Sequence, residues 1–242
     1  MTVLVVTGTS TEVGKTVVTA AIAAIAVASG RQVAVVKVTQ TGVGAGQAGD
    51  VEEVRRLVGR PITCRELARY PEPLAPATAA RRAGLAPVTP AIAAAATQDI
   101  AAVHDLVLLE GTGGLLVPLD GGGGTLADVA AALAAPVLVV VAAGLGTLNH
   151  TALTVEALRT RGLECAGIVI GAWPAEPGLA ARCNLADLPA LTGLPLLGAL
   201  PDGAGRLSPP EFLLAARRGL ESGLQLLGWW SLKTSATGVG SP

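Results

Sequence analysis

The residues of clearest chemical potential lie close together near the start of the chain. Gly8-Thr-Ser-Thr-Glu-Val-Gly-Lys15-Thr16 separates an apolar run from a helix-forming run. Gly8 and Gly14 let the backbone fold around an anion, and the amides opening the next helix then point at phosphate oxygens. Lys15 can reach terminal phosphates, and the Thr16 hydroxyl can ligate Mg²⁺. Five residues separate the two glycines where four are usual, and Thr9 stands where a glycine is expected. A glycine-containing turn that merely caps a helix is the alternative, but it has no need of the Lys-Thr pair.

Lysine usage is a second pointer. The 17 basic residues include lysine only at positions 15, 37 and 233, so Lys37 stands out at the end of a second apolar run. A compact ammonium beside the phosphates could stabilise charge developing in phosphoryl transfer; a solvated strand-end lysine is the alternative. Thr41 follows in the same loop. Asp50 comes after the Gly42–Gly49 stretch and is either a metal carboxylate or a helix N-cap. Glu110 ends Leu106–Leu109 and precedes Gly-Thr-Gly-Gly, the place of a metal-linked carboxylate in phosphate-loop proteins. One or two carboxylates plus phosphates suit Mg²⁺. Asn149, in Leu145-Gly-Thr-Leu-Asn-His150, precedes a helical run and could equally be a cap. His104 and His150 lack partners at catalytic spacing and read as structural. No Asn-Lys-x-Asp guanine-reading motif is present.

These residues need elements to hold them. Short Val- and Leu-rich runs at Val3–Thr7, Val33–Val38, Asp105–Glu110, Val137–Ala143, Ala166–Ile170 and Leu196–Leu200 read as strands. Helical patterns at Lys15–Ala28, Val51–Val58, Thr89–Val103, Leu126–Ala134, Thr151–Arg161 and Pro210–Leu220 alternate with them. The alternation predicts an α/β fold, a parallel sheet with helices on both faces, as a single domain over residues 1–230. Leu115–Leu119 could add a short strand, while Gly42–Gly49 and the Pro-rich Pro71–Pro90 stretch read as loops. Ligands in such sheets sit beyond the carboxyl ends of the strands, where the residues above fall.

Composition narrows the class. Hydrophobic residues make up 51% but aromatics only 2%, which suits small aliphatic side chains packed between parallel strands and helices. A net charge of −1 argues against a nucleic-acid footprint. Cys64, Cys165 and Cys183 have no metal-ligand spacing and read as reduced thiols of a cytoplasmic protein. No signal-peptide pattern and no uninterrupted apolar span is read, so no membrane partner is expected. Residues 231–242 read as a disordered tail.

Together the segments resemble dethiobiotin synthetase of the biotin pathway, over most of residues 1–203. The resemblance rests on Gly8–Thr16, Lys37-Val-Thr-Gln-Thr41-Gly42, Glu110-Gly-Thr-Gly-Gly-Leu115 and Leu145–His150. It implies a homodimeric ligase with active sites at the subunit interface. Such an enzyme closes the ureido ring from 7,8-diaminononanoate, CO₂ and ATP through a carbamate and a carbamic-phosphoric anhydride. By resemblance Lys37 and Lys15 are catalytic, and Thr16, Asp50 and Glu110 bind Mg²⁺. Glu12, Val13, Gly14, Lys15, Thr16 and Val17 would hold the nucleotide, with Asp50 and Glu110, Gly111, Thr112 and Gly113. The base would lie against Gly171, Ala172, Pro201, Asp202 and Gly203. Thr11, Thr41, Gly113, Gly114 and Leu115 would line the diamine site, which Leu145, Gly146 and Asn149 reach from the partner subunit.

The sequence departs from the family pattern at three places. Val38 replaces a common proline, Thr112 a common alanine, and Gly171 a frequent adenine-reading asparagine, which predicts loose nucleobase selectivity. Two rival readings compete. A cobyrinate-type amidotransferase synthase would need a glutaminase domain for which the chain is too short. A partition or positioning ATPase often carries an extra lysine early in the loop, where Thr-Ser-Thr stands here. Such ATPases can also end in a membrane-binding helix. Phe212–Trp230 is Leu-rich, but Gly219, Gly223 and Gly228 weaken it, and packing of a terminal helix on the sheet edge is favoured.

Overall fold

A computed structural model describes residues 2–227. The chain opens with β1 (Thr2–Gly8), α1 (Lys15–Ala28), β2 (Val33–Lys37), β3 (Gln40–Thr41), α2 (Asp50–Val58), β4 (Thr63–Glu66) and β5 (Arg69–Tyr70). It continues through α3 (Pro76–Ala83), α4 (Pro90–Ala101), β6 (Leu106–Gly114), α5 (Leu126–Leu133), β7 (Val137–Val141) and α6 (Thr147–Thr160). Then come β8 (Cys165–Trp173), α7 (Leu179–Thr192), β9 (Leu196–Pro201) and α8 (Pro209–Ala216). A π-helical turn at Arg217–Glu221 leads from α8 into α9 (Ser222–Gln225). Seven strands form one sheet in the order β4-β2-β6-β1-β7-β8-β9, every pair parallel, and β3 with β5 makes a small second sheet.

The alternation of side chains along each strand divides the core in two. Leu4, Val6, Leu106 and Leu108 face one way and pack with Ile22, Ile25, Leu57 and Phe212 of α1, α2 and α8. Val5, Val107 and Leu109 face the other way, against Ala93, Val129, Leu158 and Leu188 of α4 to α7. Central strands buried on both faces therefore read as unbroken apolar runs, which is why they stand out in the sequence. From Phe212 to Gln225 the chain is helical and packs on the first face, with Phe212, Ala216, Leu220 and Leu224 buried. Trp229, Trp230 and the 231–242 tail lie outside the described residues.

Several expectations need correction. No strand forms at Leu115–Leu119; β6 instead runs on to Gly114, paired with Gly8, and the chain then turns so that Leu115 and Leu119 enter the core. The Pro-rich stretch is not all loop, because α3 lies inside it, with Pro76 at its first turn and Gly84 ending it at φ 65°. The sequence pattern does not reveal α7, because Pro189 interrupts it. The edge strand β4, Thr-Cys-Arg-Glu, is polar and alternately exposed, so it has no apolar run to mark it. α6 starts at Thr147, not Thr151, and its N-cap is Gly146 at φ 90°, so Asn149 lies in the first turn and is not the cap.

Candidate active site

The loop between β1 and α1 is shaped by two left-handed residues, Glu12 at φ 58° and Gly14 at φ 90°. It rests on the end of β8. A Cβ on Gly14 would lie 2.7 Å from the Gly171 carbonyl oxygen, and one on Gly171 would run into the Val13 carbonyl. Val13 is buried beneath the loop, and the Lys15 ammonium donates to the Ser10 carbonyl at 2.9 Å.

Beyond the strand ends lies a cavity of about 450 Å³. The loop gives it Thr11, Glu12, Gly14, Lys15, Thr16 and Val17; Lys37, Gln40, Thr41, Asp50, Thr112 and Gly113 close the other sides. At its floor the Lys37 ammonium lies 2.6 Å from Asp50 Oδ2 and 2.7 Å from Glu110 Oε1, and donates to the Gly111 carbonyl at 3.0 Å. The Thr16 hydroxyl donates to the same Glu110 oxygen at 2.9 Å. Lys37 is 3% exposed and Glu110 1%. Neighbouring β2 and β6 create this pair, since Lys37 and Glu110 are register partners.

Burial opposes charge on Lys37, but Glu110 and then Asp50 outweigh it and hold the ammonium above its ordinary value. Lys15 has no such partner so close. Burial first, and the Lys37 charge second, lower it to about 8. Thus one lysine is locked as a cation, while the other awaits an anion.

Asp50 and Glu110, which meet at the Lys37 ammonium, and the Thr16 hydroxyl bonded to Glu110 are hard-oxygen donors of the kind that suit Mg²⁺ shared with phosphate oxygens. Among the described residues no three His, Cys, Asp or Glu side chains gather as a self-sufficient metal cage.

The departures Val38 and Thr112 fall in one neighbourhood. The Val38 amide, which a proline would lack, donates to the Glu110 carbonyl at 3.1 Å. Thr39 donates its hydroxyl to Thr112 Oγ1 at 3.0 Å, and the Thr112 hydroxyl bonds the Thr39 carbonyl. The segment carrying Lys37 and Thr41 is therefore laced to β6.

A second cavity, about 670 Å³, adjoins the first through Thr11, Glu12, Thr41, Thr112 and Gly113. Pro73, Leu74, Ala75, Pro76 and Val117 form its apolar wall, and none of them stands out in the sequence. Only a hydrophobic turn before α3 hints at them. Gly114 ends β6 beside this wall, whereas the Leu115 side chain points into the core and does not line the cavity. Ala172, Pro201, Asp202 and Gly203 cluster at the ends of β8 and β9, where the Asp202 amide donates to the Trp173 carbonyl at 2.7 Å. Leu145, Gly146 and Asn149 lie apart from both cavities. Leu145 is 96% exposed, and its two companions are accessible beside it.

Comparison with known proteins separates the rivals. A family model described as an AAA domain matches residues 2–205. Among solved structures, the MinC:MinD cell division complex of Aquifex aeolicus superposes with TM-score 0.59 at 15% identity, covering 94% of this chain and 96% of that one. Likeness at that identity shows the fold alone. Sequence relatives are far nearer. The ATP-dependent dethiobiotin synthetase of Saccharopolyspora erythraea is 65% identical over 231 residues, covering 96% of this chain and 100% of the relative. That of Streptomyces coelicolor is 65% identical over 216 residues, covering 89% and 90%. A lysine held between two carboxylates at the mouth of a phosphate loop, on a chain this similar over most of its length, leaves one assignment: the chain belongs to the ATP-dependent dethiobiotin synthetases.

Proposed function

We propose that this chain closes the ureido ring of dethiobiotin from 7,8-diaminononanoate, CO₂ and ATP, with Lys37 as the central catalytic group. The observation that carries the residue assignment is the Lys37 ammonium, bracketed by Asp50 and Glu110 within one cavity with Lys15 and Thr16. Glu12 to Val17 cradle the triphosphate through backbone amides and Lys15. The diamine lies in the adjoining cavity, its reacting end near Thr11 and Thr41 and its chain along Pro73–Pro76 and Val117.

One amine of the substrate carries CO₂ as a carbamate. A carbamate oxygen attacks the γ-phosphorus and ADP departs, giving a carbamic-phosphoric anhydride. The second amine attacks the anhydride carbonyl, the C–O bond to phosphate breaks, and the ring closes with release of phosphate. Acceptor and donor are both anions, so the barrier is largely electrostatic. Lys37 and Lys15 offset that charge in a buried site, where fixed charges act strongly. Thr16, Asp50 and Glu110 would hold Mg²⁺, which neutralises phosphate oxygens.

The working unit in this reading is a homodimer, in which Leu145, Gly146 and Asn149 complete the partner's diamine site. Its substrates are small molecules, nucleic acid and membranes play no part, and ATP as co-substrate places the reaction in the cytoplasm. Among the described residues no helix is long and apolar enough to cross a membrane. Incubation with diaminononanoate, bicarbonate, Mg²⁺ and ATP should yield dethiobiotin by mass spectrometry. Folded protein that gives none overturns the reading.

A further inference from the structure

The helix α2 begins with only half a capping box. Its N-cap residue is Gly49, which has no side chain to accept from the first amides. The Gly49 amide donates to Glu52 at 2.8 Å, but that satisfies the glycine and not the helix. The missing acceptor comes from ten residues away: Gln40 Oε1 accepts the Asp50 amide at 2.8 Å. Gln40 is 6% exposed and held by its own backbone, whose amide bonds the Ala68 carbonyl at 2.8 Å beside the small β3–β5 sheet. Gly49 has extended backbone, φ −111°, that any residue can adopt, so its torsions do not require glycine. A Cβ there would stand 2.8 Å from Gln40 Oε1 and 3.0 Å from Arg69 Nη2, so a side chain at 49 competes for place with the ends of Gln40 and Arg69.

We propose that Gln40 is a positioning residue that caps α2 through space and thereby sets Asp50 against Lys37 and the metal site. The proposal rests on the reading of Asp50 as a Mg²⁺ carboxylate. Asp50 is the first residue of α2, so the amide that Gln40 holds and the carboxylate at 2.6 Å from Lys37 belong to one residue. A local serine or aspartate cap would serve the helix equally well. Capping from β3 instead fastens the helix to the strand-end segment that carries Lys37 and Thr41. The separation between the catalytic cation and its carboxylate is then set by one partly buried hydrogen bond.

The test is a double-mutant cycle with two readouts. Gln40→Ala should speed hydrogen exchange of the amides of residues 50–53 in the nucleotide-free protein. It should also raise the Mg²⁺ concentration giving half-maximal rate by about fivefold, the effect of losing one N-cap, while KM for diaminononanoate holds. Gly49→Ser alone should also impair the site, since its Cβ meets the Gln40 amide. Combined, the two should rescue one another, because a hydroxyl at position 49 can cap α2 once the amide is gone. If Gln40→Ala does not fold, recovery of folding in the double variant supports the proposal in the same way. Additive damage in the double variant overturns it, as does unchanged exchange in Gln40→Ala. Asp50→Asn separates the two levels. If it leaves Mg²⁺ dependence unaltered, the reading of Asp50 fails; if it raises the requirement and Gln40→Ala does not, the positioning role fails.

Discussion

The Val13 carbonyl oxygen occupies the space where a Cβ on Gly171 would be. The phosphate loop is thus seated on bare backbone at the end of β8, and a side chain at 171 competes with the loop itself. Gly171→Asn should therefore displace the loop and raise KM for ATP, with a stability loss of about 2 kcal/mol from overpacking. It should not install adenine recognition. With only backbone at 171, the wild-type enzyme should turn over several nucleoside triphosphates at comparable rates. A strong preference for ATP in steady-state assays refutes that expectation.

Lys37 sits where its loss can be divided into chemistry and binding. Lys37→Ala should lower kcat by about 10²- to 10³-fold, the range seen when one transition-state donor is removed. Nucleotide affinity by calorimetry should change little, because the loop and Lys15 remain. Preserved turnover would remove Lys37 from the catalytic role.

Lys15 supplies a pH dependence. Its value in the folded protein, about 8, lies below the 10.5 of an ordinary lysine, so the unfolded chain binds more protons between them. The stability penalty is therefore fully present below about 8 and is relieved as pH rises toward about 10.5. Urea titrations of wild type against Lys15→Met should show the wild type gaining relative stability across that window. Phosphates beside Lys15 favour its cation. Nucleotide binding at about pH 8 to 9 should accordingly take up a proton, seen as a buffer-dependent heat that Lys15→Met lacks.

Thr112 links β6 to the segment after Lys37. Thr112→Ala leaves the fully buried Thr39 without that hydroxyl partner and should cost about 1 kcal/mol in urea unfolding. Turnover should fall more than nucleotide affinity, since the bond lies on the Lys37 side of the cavity. Equal losses in both would place Thr112 in general stability alone.

Asn149 lies outside both cavities of its own chain. Lys37→Ala and Asn149→Ala copies should each be impaired alone. Mixed and allowed to exchange subunits, they should regain activity at about a quarter of the sites, because half the dimers carry one intact site. No recovery in a confirmed mixed dimer places Asn149 outside the partner's site.

Much of this is legible in the sequence because phosphate chemistry dictates residue type and spacing together. The loop at Gly8–Thr16, and Lys37 and Glu110 at the ends of apolar strands, are local patterns, and the parallel sheet brings them together without further information. What stays hidden depends on distant contacts. Gln40 reads as an ordinary loop amide until the fold places it over α2. Leu115 sits in a glycine-rich segment but turns inward. The Pro73–Pro76 wall lies in a stretch whose prolines mask the start of α3, and Pro189 masks α7 in the same way.

The extension of β6 to Gly114 has a geometric consequence. Glu110, Gly111, Thr112 and Gly113 are successive residues of β6, and they serve the Lys37 ammonium, the same ammonium again, the Lys37 segment and the second cavity in turn. Glu110 faces Val6 and Gly114 faces Gly8, so four steps on β6 stand against two on β1, and the strand bulges with Gly113 turned to φ 74°. The extra backbone is folded in like slack in a cord, and it draws the lysine end and the apolar wall closer together than a regular strand of that length would.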